Sequence, residues 1–366
     1  MENSDSIKSF KVFKTGGPPV ARVSWRMLLL GIVASSSLLL LLLRHLDWKQ
    51  FCIALAQIHC AVLAVPVVTT LGGFLLKPWR WQHIFPHRMK VGYWSCFGAL
   101  GVGNMANYFL PARGGDLLRC FLVARRNPLT RASTALATLG LARIFDGVAL
   151  VVVLSISSLF FTPPRWLLRL ASVSALVFGG GLVFAFLLHS CRGWFLDLTH
   201  SVFRTVHLKP LGDEAAALFE WFAQGLGAVS SPPEMARLVI LTALIWMADA
   251  VGVWGLAWAL RISVSIPAAA LVSAIVGLSM MIPAAPGFIG TYEFFSVAAL
   301  RLLGVEFASA MALTVLMHAW SLTAAIMVGA GGLGVCGISF SGMVHGDISG
   351  INDERVLREG GPGRRW

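Results

Sequence analysis

Charged residues are scarce in this chain: Asp, Glu, Lys and Arg together make up 13% of its 366 residues. Hydrophobic residues make up 57%, and the mean hydropathy is +0.77. Soluble globular domains carry about 25% charged residues, so this composition excludes that class. Several apolar runs reach the ~20 residues that a helix needs to cross a bilayer. The sequence therefore predicts an integral membrane protein with several spans.

The chain also lacks the sequence patterns of common enzyme and cofactor sites. It contains no nucleophile elbow, P-loop, zinc-ligand spacing or pair of catalytic carboxylates. Its six cysteines are scattered without a C-x-x-C pair, and we interpret them as apolar filler. The net charge of +12 has no soluble basic domain to carry it, which argues against nucleic-acid binding. These absences predict a protein that is not an enzyme and that holds no cofactor or metal.

The apolar runs predict an all-α fold with about six full spans and two re-entrant hairpins. The expected spans cover residues 27–43, 58–76, 132–161, 167–189, 237–260 and 306–334. The expected hairpins cover residues 91–124 and 266–303, where proline and glycine interrupt the apolar run and so break the helix. Residues 47–57 are interpreted as an amphipathic connector, and part of 190–235 as a helix lying flat in the interface.

The distribution of Lys and Arg predicts the orientation of these spans, because cytoplasmic segments carry an excess of both. With both termini in the cytoplasm, the inside segments hold 21 Lys and Arg residues and the outside segments hold 6. We therefore expect a multi-pass protein of the cell (inner) membrane. Residues 1–26 would form a disordered cytoplasmic tail, residues 27–335 the transmembrane domain, and residues 336–366 a polar C-terminal tail.

This topology contains two units of the same design. Each unit is predicted to consist of a span, a hairpin and a second span, and the units cover residues 58–161 and 237–334. The second unit is inverted relative to the first. Inverted repeats with interrupted helices are typical of transporters, which bind their substrates near the midplane. We therefore expect the two hairpin tips to meet there.

The break of the first hairpin is rich in charge. Arg113, Asp116 and Arg119 lie there, close after Asn107, in an otherwise apolar run. Charges in hydrocarbon are costly and commonly mark function. An Asp between two arginines could hold a guanidinium ready for a bidentate phosphate contact. The alternative is a structural ion pair that staples the hairpin.

Three further charged residues of the first unit are candidates for substrate binding. Arg143 and Asp146 stand three residues apart on one span, so they could instead pair with each other. Arg80 follows the second span, where its alternative role is to extend to the membrane interface.

The second unit adds two carboxylates. Asp249 lies near the middle of a span, where it must pair or stay neutral. Glu293 follows the second break and is either a helix cap or a protonatable coupling group. His318 is interpreted as a hydrogen-bonded core histidine rather than a proton carrier.

Four segments together resemble the flippase-like transmembrane region of lysylphosphatidylglycerol synthases. They are Arg80-Trp81; Asn107 with Leu110-Pro111-Ala112-Arg113-Gly114-Gly115-Asp116 and Arg119; Ala142-Arg143-Ile144-Phe145-Asp146; and Pro283 with Pro286-Gly287-Phe288-Ile289-Gly290-Thr291-Tyr292-Glu293. The family usually has glutamate at the positions of Asp116 and Ala142, and Pro-Gly-Gly-Leu-Gly before the last glutamate. No segment resembles the aminoacyl-transferase domain of the full synthases, so the resemblance implies lipid movement rather than lipid synthesis.

The leading hypothesis is therefore a lipid transporter that moves an anionic or phosphate-bearing lipid between leaflets, either passively or coupled to an ion. One alternative is a membrane-embedded transferase acting on a lipid-linked substrate. Another is a non-catalytic partner of a lipid or glycan biosynthesis enzyme. The expected partners are membrane lipids with anionic headgroups, a lipid-biosynthesis enzyme, and a second copy in a homodimer.

Overall fold

The computed structural model describes residues 25–110, 113–157, 159–160, 164–205, 216, 219–227, 232–281 and 285–341. Every regular element within these ranges is a helix, which confirms the all-α prediction. The α-helices are α1 (Trp25–Arg44), α2 (Trp48–Ala56), α3 (Ala64–Ile84), α4 (Tyr93–Phe109), α5 (Gly114–Arg126), α6 (Ala132–Ser157), α7 (Arg165–Ser190), α8 (Arg192–Thr205), α9 (Pro232–Ala259), α10 (Ile266–Ser279), α11 (Thr291–Leu302) and α12 (Phe307–Cys336). Short 3-10 turns occupy Cys60–Leu63, His87–Met89 and Pro286–Phe288.

Five helical segments within the described ranges are long and apolar enough to cross a membrane. They are Cys60–Ile84, which includes α3, together with α6, α7, α9 and α12. These segments match five of the six predicted spans, and a polytopic membrane protein is thereby confirmed. The sixth predicted span, 27–43, falls in α1, where Ile32–Arg44 counts as a shorter apolar helix.

Helix α3 extends well beyond the predicted span 58–76. It continues through Lys77, Pro78, Arg80 and Trp81 to Ile84, and the last four of these residues are buried. The interpretation of Arg80 as a residue that extends to the interface is therefore wrong. A basic and aromatic cluster is typical of an interface, but here Arg80 and Trp81 are covered by other helices, while Trp79 stays exposed.

Polar side chains at the helix ends explain several boundaries. Asp47 accepts hydrogen bonds from the backbone N–H groups of Lys49 and Gln50, and so caps α2. Ser265 caps α10 and Glu306 caps α12 in the same way. Helix α12 ends at Gly337, which adopts the left-handed conformation that glycine favours there.

The order of elements repeats along the chain. Helices α3 to α6 form a unit of one long, two short and one long helix, and α9 to α12 form a second. The units interlock, because α3 packs against α9 and α4 packs against α12.

Four features of the expected topology stay predictions. They are the inversion of the second unit in the membrane, the depth of the hairpins, the domain boundaries and the interfacial position of α8. Residues 1–24 and 342–366, which hold most of the two predicted tails, lie outside the described residues.

Two clusters of buried apolar side chains hold the units together. One draws mainly on α3 to α6 and includes Ile84 and Leu122. The other draws mainly on α9 to α12 and includes Ile275 and Leu313. Members of both clusters, among them Trp81 and Tyr292, line a single cavity between the units.

Candidate functional site

In the first hairpin, helices α4 and α5 approach each other closely at two glycines. Helix α4 ends at Phe109 and α5 begins at Gly114, whereas the predicted break at Pro111 lies outside the described residues. A Cβ atom on Gly115 would stand 2.0 Å from the carbonyl oxygen of Gly103, so only glycine fits. This contact brings the start of α5 against α4. Charged side chains at the start of α5 therefore face the end of α4.

The second hairpin breaks between α10 and α11. Gly287 and Gly290 have φ angles of 69° and 92°, which favour glycine. A Cβ atom on Gly290 would lie 2.0 Å from the carbonyl oxygen of Ser35, so α1 packs directly on this break. Of the predicted prolines, Pro286 opens the 3-10 turn, and Pro283 lies outside the described residues.

Asp116 is the centre of the charged cluster in the first hairpin. Its carboxylate lies 3.1 Å from nitrogen atoms of Arg113, Arg119 and Arg143. The side-chain amide of Asn107 donates a further hydrogen bond of 3.0 Å to it. One carboxylate thus faces three guanidinium groups, which leaves the cluster with a surplus of two positive charges.

A second buried ion pair adjoins this cluster. Arg80 donates to both oxygens of Asp146, at 2.6 and 3.1 Å, and to the hydroxyl of Thr242 at 3.1 Å. The indole N–H of Trp246 also donates to Asp146, at 3.3 Å. The alternative that Arg143 and Asp146 pair with each other is therefore wrong. Although they share α6, Asp146 points to α3 and Arg143 points to α5.

Asp249 pairs with a lysine of helix α3. The Nζ atom of Lys77 lies 3.5 Å from Oδ2 of Asp249. Both side chains are about one-third exposed, at 30% and 33%, unlike the buried pair of Arg80 and Asp146. The expectation that Asp249 must pair or stay neutral is met by this lysine.

Glu293 lies apart from the arginines, at the second break. It accepts the backbone N–H of Gly290 at 2.6 Å and contacts Nδ1 of His318 at 2.5 Å. The Nε2 atom of His318 lies 2.9 Å from the carbonyl oxygen of Gly287. These contacts confirm Glu293 as a helix cap and His318 as a hydrogen-bonded core histidine. The role of Glu293 as a protonatable group that couples transport to an ion stays a prediction.

A cavity of about 330 Å³ lies where these groups converge. Its basic lining residues are Lys77, Arg80, Arg113, Arg119 and Arg143, and its acidic ones are Asp146 and Asp249. Asn107 lines the wall. Asp116 contacts the arginines of the wall, and Glu293 contacts His318, whose ring stacks on Tyr292 of the wall. The wall therefore combines an excess of positive charge with a largely apolar surface, as in pockets for small ligands.

Several polar atoms at the wall have no hydrogen-bond partner among the described residues. They are Nε of Arg80, Nε of Arg119, Oδ1 of Asn107 and Oγ of Ser273, all from residues that line the cavity. Buried polar groups are normally paired. These four atoms are themselves buried, so they do not face the cavity. In the described part of the chain, no three His, Cys, Asp or Glu residues are placed to hold a metal ion.

The structure thus brings seven of the nine predicted site residues to one cavity wall, with Asp116 directly behind and Glu293 at the neighbouring break. Their roles in binding stay predictions. Lys77, Trp246 and Trp320 are cavity residues that the sequence analysis missed. A signal was present for Lys77, because it precedes Arg80 by three residues and so shares its helix face.

Comparisons with known proteins support a lipid-related membrane role. The profile of the family described as the lysylphosphatidylglycerol synthase TM region matches residues 28–329. The chain is also 25% identical over 335 residues to Glycosyltransferase AglD from Haloferax volcanii, which covers 83% of this chain and 53% of that protein. The chain therefore spans about half the length of this relative. The prediction that the chain is not an enzyme is contradicted by this similarity, because the relative is a glycosyltransferase.

Proposed function

The chain belongs to the family of lysylphosphatidylglycerol synthase transmembrane regions, and from this premise we propose that it binds the phosphate of a membrane lipid in its central cavity and moves that lipid between leaflets. The cell membrane as its location, with both termini in the cytoplasm, is part of this proposal. The proposal also includes coupling of lipid movement to an ion.

The observation that carries the proposal is the excess of arginine around Asp116. One carboxylate can neutralise one of its three arginine neighbours, so two positive charges remain for a ligand. Arg143 is the most accessible of the three, with 32% of its side chain exposed, and it lines the cavity. A guanidinium presents paired N–H donors that match two oxygens of a phosphate.

The position of the arginines suits a headgroup that passes through the protein while its acyl chains stay in lipid. Interrupted backbone is tolerated at membrane depth where protein or a cavity surrounds it. Here the two breaks adjoin the same cavity, and Arg113 of the first hairpin reaches the backbone of the second, at Met280. A relative movement of the two units would thus change access to the arginines.

Translocation by purified protein in liposomes tests the proposal. Fluorescent phosphatidylglycerol in the inner leaflet should reach the outer leaflet, where a membrane-impermeant reductant quenches it, faster than in protein-free liposomes. Arg143→Ala should slow this rate at least about tenfold, equal to ~1.4 kcal/mol, while the matched control Arg165→Ala, at an exposed position on α7, should not. A wild-type rate equal to that of empty liposomes would refute the proposal.

A second candidate function is a transferase that acts on a lipid-linked substrate. The glycosyltransferase relative favours it, although the chain covers only 53% of that protein. Purified protein incubated with a polyprenyl-phosphate sugar and a soluble acceptor would then form a glycosylated product. Product formation that Arg143→Ala abolishes would support the transferase, because the same arginines would hold the donor phosphate.

A further inference from the structure

We propose that the lipid bound by this protein carries a neutral polyhydroxyl group, such as a sugar or a cyclic polyol, beyond its phosphate. This group would bind to the part of the cavity wall that includes Lys77, Asp249, Trp246 and Trp320, which we call the polyol subsite. The inference rests on the proposed function, because it takes the arginine cluster as the phosphate site.

The size of the cavity leaves room for more than a phosphate. Its volume of about 330 Å³ falls within the range of roughly 300–1,000 Å³ typical of pockets for small organic ligands. The arginines around Asp116 account for one part of the wall. The polyol subsite forms another part of the wall. Trp246 connects these two parts, because its N–H donates to Asp146, which pairs with Arg80.

The charge of the cavity argues against a cationic group in this second part. Five basic side chains line it, and the acidic side chains in contact with them are Asp116, Asp146 and Asp249. The net charge is therefore +2, which repels an amine. A second anion is also disfavoured, because Asp249 already neutralises Lys77, the charged donor of the polyol subsite.

A neutral hydroxyl group fits the same pair of side chains. A hydroxyl is both a donor and an acceptor, and the pair offers an ammonium donor beside a carboxylate acceptor. Both are about one-third exposed and 3.5 Å apart, so a ligand can reach them. Two neighbouring hydroxyls on a ring could contact both ends of the pair at once.

The two tryptophans supply a surface for the apolar faces of such a ring. The indole N–H of Trp320 donates to Thr70 at 2.9 Å, and that of Trp246 donates to Asp146 at 3.3 Å. With their polar atoms engaged by protein, both rings present apolar surface to the cavity that they line. A sugar or polyol ring combines polar edges with apolar C–H faces and so matches this surface.

Binding of short-chain lipids to the purified full chain in detergent tests the inference. Calorimetry would compare dioctanoyl phosphatidylinositol, which has a polyol, with phosphatidylmethanol, which has the same phosphodiester charge and no polyol, and phosphatidylethanolamine, which adds an amine. We expect phosphatidylinositol to bind at least about tenfold more tightly than phosphatidylmethanol, and phosphatidylethanolamine to bind more weakly than both. Asp249→Asn should remove the preference for the polyol, whereas the exposed control Asp197→Asn on α8 should keep it.

The results separate this inference from the proposed function. If Arg143→Ala leaves the affinities for all three lipids unchanged, the arginine cluster is not the phosphate site and both proposals fail. If Arg143→Ala weakens all three but wild type does not prefer phosphatidylinositol, the polyol subsite alone is refuted. Should Asp249→Asn not fold, Lys77→Met serves the same purpose, and a retained preference in that variant refutes the subsite.

Discussion

Arg113 joins the two hairpins through a hydrogen bond of 2.6 Å from its Nη1 atom to the main-chain carbonyl of Met280. The Nε atom of the same side chain donates to Asp116 at 3.1 Å. One guanidinium therefore spans the charged cluster of the first hairpin and the end of α10. This contact gives Arg113 a structural role beside any role in binding phosphate.

Arg113→Lys should lower both thermal stability and lipid translocation. A lysine keeps the charge, but its single ammonium cannot reproduce the two directed contacts of the guanidinium fork. Loss of one charge-assisted hydrogen bond should cost about 1.5–3 kcal/mol. Thermal unfolding in detergent, measured beside translocation, checks this, with Arg165→Lys as the control. Full stability with lost translocation would instead assign Arg113 to the substrate alone.

Asp116→Asn should destabilise the protein strongly, because three guanidinium groups would lose their shared counter-charge. Removal of one partner from a buried ion pair typically costs about 3–5 kcal/mol. Added inorganic phosphate should raise the melting temperature of this variant more than that of wild type, since it can replace the lost charge. An equal rise in both proteins would show that the freed arginines cannot reach an anion.

The pair of Arg80 and Asp146 should behave as a unit in a double-mutant cycle. Arg80→Met alone leaves a buried carboxylate with the indole of Trp246, and Asp146→Leu alone leaves a buried guanidinium. Each single change should cost about 3–5 kcal/mol, and the double change should cost clearly less than their sum. Chemical unfolding of the four proteins measures this coupling, and additive losses would contradict it.

Glu293→Gln should remove any dependence of translocation on a pH gradient while the protein stays folded. The Nε2 atom of His318 faces the carbonyl of Gly287, which can only accept, so Nε2 carries a proton. Nδ1 of His318 contacts the carboxylate of Glu293, and a glutamine removes the charge of that carboxylate. Translocation with and without a pH gradient tests this. An unchanged dependence would leave Glu293 as a helix cap only.

Cysteine labelling should place the end of the first hairpin and the start of the second on opposite sides of the membrane. Position 125, at the end of α5, and position 263, before α10, are both exposed and thus suitable for a single cysteine in a cysteine-free background. We expect an impermeant maleimide added to intact cells to label Ser263→Cys and not Arg125→Cys. Labelling of both from the same side would exclude the inverted arrangement.

The sequence was informative about where the helices break and which residues carry charge. Glycine, proline and isolated charges are local signals, so both hairpins and nearly all of the charged wall could be predicted. The pairing partner of each charged residue could not be predicted. Asp146 has Arg143 one turn away, yet it pairs with Arg80, 66 positions earlier, because the packing of α3 against α6 decides the contact. The same packing buries Arg80 and Trp81, although a basic and aromatic stretch is typical of an interface.

The close approach of Gly103 and Gly115 also constrains how the protein enters the bilayer during synthesis. Helices α4 and α5 have 17 and 13 residues, or about 26 and 20 Å of helix, each less than the ~30 Å hydrocarbon core. Helix α5 also carries Asp116 and Arg119, which pair with each other, and Asp116 gains a further partner, Arg143, only when α5 packs against α6. Neither leg is suited to insertion alone. We therefore expect the two helices to enter the bilayer together, with Gly115 packed against the backbone of Gly103.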